Sequence, residues 1–124
     1  MEPSNLDLLD SRDSLQKLSS RNLRGVFALR LADIVEVVNE RLRRLQAVRQ
    51  DLNGRIEEGD LQQDEANEQW RELLGETLEM DKEPLPRSAL RTVEISVADL
   101  RALEWMIVDQ NTGDQNTEDD AATE

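Results

Sequence analysis

The residues in this sequence that could do acid–base or nucleophilic chemistry are carboxylates, hydroxyls and amines. Of the 124 residues, 28 are Asp or Glu, and the chain contains no His and no Cys. Ser-His-Asp and Cys-His catalytic arrangements and typical zinc sites are therefore impossible. With so many carboxylates, any pair could be selected for general acid–base work, so no single pair is informative. We expect that the protein is not an enzyme.

Cofactor and metal motifs give no positive signal either. The spacing of the five glycines matches neither a phosphate-binding loop nor a dinucleotide-binding fingerprint. Asp51 and Asn53 begin like a calcium-binding loop, but Ile56 stands where that loop requires Gly. We therefore expect no bound cofactor and no metal.

The charge is divided unevenly along the chain. Residues 1–50 contain nine Lys or Arg and seven Asp or Glu, whereas residues 51–124 contain six bases and twenty-one acids. The second half therefore repels nucleic-acid phosphates, and we expect no direct nucleic-acid binding. The acidic half favours a basic partner or mimicry of nucleic acid, although a charged surface also simply keeps a small protein soluble.

One long amphipathic helix is the strongest structural signal. Over residues 21–52 the apolar positions alternate three and four apart, and Asn53-Gly54 is a helix stop signal. The positions that form this narrow seam are Val35, Val38, Leu42, Leu45, Leu52 and Ile56. Nearer its start the helix has a wider apolar side, and a wide side suits two neighbours where a narrow seam suits one.

The remaining elements predict a mainly all-α fold with a single domain. The expected order is a flexible N-terminus (1–12), an antiparallel helical hairpin (21–80), an extended Pro-containing linker (81–95), a short helix (96–108) and a disordered acidic tail (109–124). The helical domain as a whole spans 13–108. Its second helix begins near Asp64 and runs to about Met80, which leaves the wide half of the long helix without cover. Within the chain, only the third helix and the residues near Leu15 and Leu18 are candidates to cover it; otherwise that surface belongs to a partner.

Two surfaces are candidates for binding. The first is the uncovered apolar end together with a tryptophan of the last helix, although a Trp at helical spacing is more often a core residue: Leu23, Phe27, Arg30, Leu31, Ile34 and Trp105. The second is an acidic face at helical spacing: Glu65, Glu68, Glu72 and Glu76.

The order of these elements resembles a group of short, uncharacterised proteins encoded by tailed bacteriophages. The resemblance covers about residues 12–108, and its motifs are the Ser20-Arg21 helix entry, the acidic hairpin loop, Trp70-Arg71-Glu72-Leu73-Leu74, Val93-Glu94-Ile95-Ser96, Asp99-Leu100 and Leu103-Glu104. It implies a viral setting and a small accessory or assembly role, and it supplies no catalytic residue.

Together these observations predict a non-catalytic protein that docks another protein through its helical hairpin, with self-association as one way to cover the apolar end. The alternative is an acidic inhibitor that mimics nucleic acid and occupies a basic groove of a host protein. No apolar run approaches the roughly 18 residues that cross a bilayer, and Met1-Glu2-Pro3-Ser4 lacks the features of a signal peptide. We expect a cytoplasmic protein, in the host cytoplasm if it is viral, with no membrane contact.

Overall fold

The computed structural model describes residues 1–109 and confirms the mainly all-α prediction. The predicted tail, residues 109–124, lies outside the described residues except for Asp109. The described residues form four α-helices: α1 (Asn5–Ser19), α2 (Gly25–Glu57), α3 (Gln63–Gly75) and α4 (Val97–Ala102). Two 3-10 helices, Arg87–Leu90 and Glu104–Met106, each lie next to a two-residue strand, β1 (Leu85–Pro86) and β2 (Ile107–Val108).

The long helix α2 is displaced toward the C-terminus relative to its prediction. It begins at Gly25 and ends at Glu57, so Asn53 and Gly54 lie inside the helix and do not end it. The physical reason is packing: Leu52 is buried and Ile56 is half-buried, so burial on both sides of Gly54 outweighs its low helix propensity. Gly59, with a φ of 82°, then takes the left-handed conformation in the loop before α3. The 33 residues of α2 span roughly 50 Å.

The helix α3 is shorter than predicted, because it ends at Gly75 and not near Met80. Its start is held by Glu65, whose carboxylate accepts the backbone N–H of the N-cap residue Gln62 at 3.3 Å. After α3 the chain is extended and bonds the N-terminus. The backbone N–H of Leu78 donates to Pro3 O at 2.8 Å, that of Met80 donates to Met1 O at 3.0 Å, and Asn5 N–H donates to Glu76 O at 2.8 Å.

The prediction of a flexible N-terminus over residues 1–12 is wrong. Residues from Asn5 onward form α1, whose capping box joins Ser4 and Asp7 through two hydrogen bonds of 3.0 Å. Leu8, Leu15 and Leu18 of this helix are buried in the core. The missed signals were the Ser4-x-x-Asp7 spacing and the apolar positions that follow it.

Helices α3 and α1 together cover the apolar side of α2. Leu9 of α1 lines a depression with residues 39–53 of α2, whereas Leu15 and Ser19 line one with residues 35–42, so the two helices are antiparallel. The start of α1 meets the end of α3, where the side-chain amide of Asn5 donates to Leu73 O at 2.7 Å. The predicted uncovered half of α2 is therefore covered by α1, with help from the C-terminal segment.

The C-terminal segment folds back on the core through more turns than predicted. The Ser96 hydroxyl caps α4 by accepting the backbone N–H of Asp99 at 3.0 Å, which confirms the predicted start of this helix. The helix is only six residues long, however, and the chain then forms a 3-10 turn and β2, which pairs in parallel with β1 inside the predicted linker. The change of conformation allows Leu103, Met106 and Ile107 all to reach the core.

One hydrophobic core is formed by residues of α1, of the first half of α2 and of the chain from Met80 to Ile107. Its fully buried large apolar side chains are Leu8, Leu18, Ile34, Val38, Leu85, Leu103 and Met106. Because α1 supplies two of these residues, removal of its contacts should destabilise the whole domain and not merely loosen one end.

We therefore predict that Leu8→Ala lowers the free energy of unfolding by about 2–5 kcal/mol, because it removes buried methyl groups and leaves a cavity. Leu8 is 0 % exposed, whereas Leu6 in the same helix turn is 45 % exposed. The matched control Leu6→Ala should change stability by less than about 0.5 kcal/mol. Urea unfolding measures both, and equal effects would contradict the assignment of α1 to the core.

Candidate functional site

The predicted apolar interaction surface is largely used inside the molecule. Leu31 and Ile34 are buried in the core, so their prediction as residues that contact a partner is wrong. Leu23, Phe27 and Trp105 are half-buried and pack against the same core. The physical reason is that α1 and the C-terminal segment supply the second neighbour that the wide apolar side of α2 needs.

Arg30, the charged member of that predicted surface, is also engaged within the chain. Its guanidinium forms an ion pair with Glu83 at 2.8 Å and lies over the Phe27 ring, 5.8 Å from the centroid. The ion pair with Glu83 holds the segment after α3 against α2, whereas the contact with Phe27 lies within α2. Arg30 therefore has an intramolecular role in the fold.

The structure instead forms a groove on one flank of α2, between α1 and α3, which we call the arginine–amide groove. It encloses about 710 Å³, and a second depression of about 380 Å³ continues it along α1. The two share Arg12, Asn39 and Leu42. Apolar side chains in its lining are Leu9, Leu42, Leu45 and Trp70.

Polar residues of the groove are of two kinds, arginines and amides. The arginines are Arg12, Arg43 and Arg49. The amides of α2 are Asn39, Gln46, Gln50 and Asn53, and Gln16 of α1 lines the continuation. Asn39, Gln46 and Asn53 recur every seven residues, which keeps them on one side of the helix, next to the apolar seam.

The arginines of the groove differ in how far they are already engaged. Arg49 is held over the Trp70 ring, 5.4 Å from the centroid, and Arg43 donates to Glu40 at 2.9 Å. Arg12 forms no ion pair within residues 1–109. No Asp or Glu of the described chain lines either part of the groove, although the protein as a whole has a net charge of −13.

This lining can bind a polypeptide that carries carboxylates. Arginine forms directed, charge-assisted hydrogen bonds with carboxylates. Side-chain amides both donate and accept hydrogen bonds, as a peptide backbone does. Sequence reasoning missed the groove because Arg12 was assigned to a flexible arm, and the seven-residue amide repeat was the available signal.

The predicted acidic face is present as a stripe of exposed carboxylates. Glu65, Glu68 and Glu72 lie on α3, and Glu76 is its C-cap residue, directly after Gly75. Glu65 also accepts the Gln62 backbone N–H at 3.3 Å. None of the four forms an ion pair within the described part of the chain.

A separate polar cluster joins α1 to α4. The buried Ser14 hydroxyl donates to the Asp99 carboxylate at 2.6 Å, and Lys17 lies 3.5 Å from its other oxygen. The Ser14 hydrogen bond is the main cause that lowers the pKa of Asp99 below its ordinary value of 3.8, and Ser96 and Lys17 lower it further. Because the Ser14 hydroxyl donates to the Asp99 carboxylate, this hydrogen bond links α1 to α4.

Residues 1–109 show no group of three or more acidic side chains arranged to hold a metal ion. Within the same residues, no helix combines the length and the apolar character needed to span a membrane. Comparison with protein families, curated proteins and solved structures found no match to this chain. The resemblance to short phage-encoded proteins therefore stays a prediction.

The Asp99 cluster predicts a specific pH dependence of stability. Because the pKa of Asp99 is lowered in the folded state, its contribution is fully present above its ordinary pKa of 3.8 and is lost as the pH falls through the lowered value. Asp99→Asn should therefore be less stable than the wild type at neutral pH, and the difference should shrink below pH 3.8. Thermal unfolding of both proteins across this range measures it, and a difference that does not vary with pH would contradict the role of the ionised carboxylate.

Proposed function

We propose that this protein is a non-catalytic docking protein that binds an acidic, amphipathic segment of another protein in its arginine–amide groove. The observation that carries the proposal is the lining of the groove, in which arginines and amides surround apolar side chains and no described carboxylate is present. An acidic protein that keeps one groove free of its own carboxylates selects for a negatively charged occupant.

The character of the occupant follows from the remaining lining. The half-buried Leu9, Leu42 and Trp70 would contact apolar side chains, so a partner without such side chains would leave this area unfilled. Nucleic acid also carries negative charge, but phosphates must then approach a protein whose net charge is −13. A protein segment concentrates a few carboxylates at the groove and avoids most of that repulsion.

Binding in the groove can be tested with two labelled synthetic helical peptides of equal length. One alternates Leu and Glu at helical spacing, and the other has Gln in place of every Glu. Fluorescence anisotropy should show that the Glu peptide binds the wild type and that its affinity falls with added salt. Arg12→Glu with Arg49→Glu should weaken that binding at least about tenfold, or about 1.4 kcal/mol.

The matched control reverses two arginines outside the groove, Arg91→Glu with Arg101→Glu, both exposed in the C-terminal segment. This control makes the same change in net charge, so it separates a local contact from the overall field of the protein. Equal affinity for the Glu and Gln peptides, or equal loss in both double variants, would argue against a carboxylate-binding groove.

The acidic stripe supports a second candidate function, namely mimicry of nucleic acid toward a basic protein. Its carboxylates at positions 65, 68 and 72 are exposed on one side of α3, Glu76 follows the end of the helix, and none of the four has a cationic partner in residues 1–109. Such a row of fixed negative charges can occupy a basic surface that otherwise receives phosphates. The row is short, which is why we place this function second.

Mimicry predicts that the protein displaces labelled duplex DNA from one or more members of a panel of purified basic DNA-binding proteins. Changing all four stripe residues to Gln should abolish displacement, because Gln keeps the shape and removes the charge. The control changes four exposed carboxylates elsewhere to Gln: Glu57, Glu58, Glu94 and Glu104. Displacement that survives the stripe variant, or that is lost equally in the control, would rule this candidate out.

A further inference from the structure

The sequence that follows the described residues is acidic and contains no cation. Residues 110–124, which we call the acidic tail, include five Asp or Glu and no Lys or Arg. Three of these acids are consecutive, Glu118-Asp119-Asp120. The other residues of the tail are Gln, Asn, Thr, Ala and Gly, so it offers carboxylates and amides but no large apolar side chain. Such a segment has the chemistry of a ligand for arginines and side-chain amides.

Three depressions of the described chain that contain arginines differ in their carboxylates. One, beside Arg44, also contains Glu40 and a second glutamate. Another, beside Arg21, also contains Glu94 and Asp99. The arginine–amide groove is the one of the three whose lining has no carboxylate. A run of negative charges therefore meets the least repulsion in the groove.

The acidic tail starts close enough to reach the groove. Val108 pairs with Pro86 in the small sheet, and Glu83, three residues before Pro86, forms the ion pair with Arg30 of α2 at 2.8 Å. Arg12 lines the groove beside Asn39, which at 1.5 Å per residue is about 14 Å along α2 from Arg30. By the same rise Arg49 is about 29 Å from Arg30. The ten residues from 109 to 118 span up to about 33 Å, so both arginines are within range.

We propose that the acidic tail of this chain occupies its own arginine–amide groove, with the carboxylates of Glu118-Asp119-Asp120 placed against Arg12 and Arg49. The tail then competes with the acidic partner for one site, so binding of the partner requires displacement of the tail. This inference concerns the regulation of the groove and rests on the function proposed for it.

The tail makes a weaker contact with the groove than the proposed partner does. It supplies carboxylates to the arginines and hydrogen bonds to the amides, but none of its residues fills the space beside Leu9, Leu42 and Trp70. Covalent attachment offsets this weakness, because it presents the tail at an effective concentration on the order of millimolar. The groove therefore rejects anions without apolar side chains and admits a partner that carries both.

Paramagnetic relaxation in NMR tests the contact without any partner. The chain has no Cys, so Thr117→Cys creates one attachment site for a nitroxide label within the acidic tail. The label should broaden the side-chain amide signals of Asn39 and Gln46, which line the groove. This broadening should recede as salt is added, because the contact is between charges that remain near solvent.

The same label in two charge-reversed backgrounds locates the contact. Broadening should be lost with Arg12→Glu and Arg49→Glu and should persist with Arg91→Glu and Arg101→Glu, and circular dichroism checks that both proteins are folded. Equal broadening in the two backgrounds, or none at the groove in the wild-type background, would overturn the proposal. Isotope-enriched protein mixed with labelled, unenriched protein should show no broadening; if it does, the tail comes from a second copy and the proposal is wrong.

Peptide binding tests the competition between tail and partner. A neutral-tail variant carries five substitutions: Asp114→Asn, Glu118→Gln, Asp119→Asn, Asp120→Asn and Glu124→Gln. It should bind the Leu/Glu peptide at least about threefold more tightly than the wild type, because the groove is then free of its competitor. Fluorescence anisotropy measures both affinities.

The matched control removes five exposed carboxylates that do not line the groove: Glu2→Gln, Glu79→Gln, Asp81→Asn, Glu94→Gln and Glu104→Gln. It makes the same change in net charge and should gain much less affinity than the neutral-tail variant. An equal gain in both, or no gain in either, would contradict competition by the tail. If the peptide binds no form of the protein, the function proposed for the groove is wrong, and the spin-label experiment still decides whether the tail occupies it.

Discussion

The apolar side of α2 is the constraint on which the rest of the structure depends. This helix has 33 residues, whereas α1 has 15 and α3 has 13, so neither can cover it alone. The two short helices lie one after the other along α2. Where they meet, residues 1–5 and residues 76–80 are joined by backbone hydrogen bonds. Without that joint the backbone groups at two helix ends would meet the core unpaired.

The groove is a consequence of the same arrangement. Helices α1 and α3 cover the apolar seam, but they leave the adjoining flank of α2 open, and that flank carries amides where solvent-facing helices usually carry charges. Arg12 comes from one covering helix and Trp70 from the other, so the groove exists only when both are in place. Any loss of α1 packing is therefore expected to remove the groove as well as part of the core.

The arrangement of the helices also determines where charged side chains lie on the folded surface. No acidic residue of α3 lines the groove, and two arginines of α2 outside the groove form ion pairs within the helix, Arg55 with Asp51 at 3.1 Å and Arg44 with Glu40 at 3.3 Å. Exposed ion pairs of this kind contribute little to stability, so their main effect is on which partners can approach. Arg12 in the groove forms no ion pair within residues 1–109, and the proposed acidic partner would supply the opposite charge there.

The sequence by itself determined the class of the fold and the chemistry that is closed to it. The three-four spacing of apolar residues identified α2 and its partner α3, the Ser96 cap identified the start of α4, and the absence of His and Cys excluded whole classes of site. These features are local, because each depends on residues within a few turns of one another.

Only the tertiary structure decided what covers the wide end of α2. The sequence treated residues 1–12 as an arm and Leu31 and Ile34 as a surface, whereas α1 docks there and buries both. That outcome depends on contacts between residues far apart in the chain, such as Asn5 with Leu73 and Ser14 with Asp99. Local periodicity holds no information about such pairs, because the free energy that selects them comes from burying one shared core.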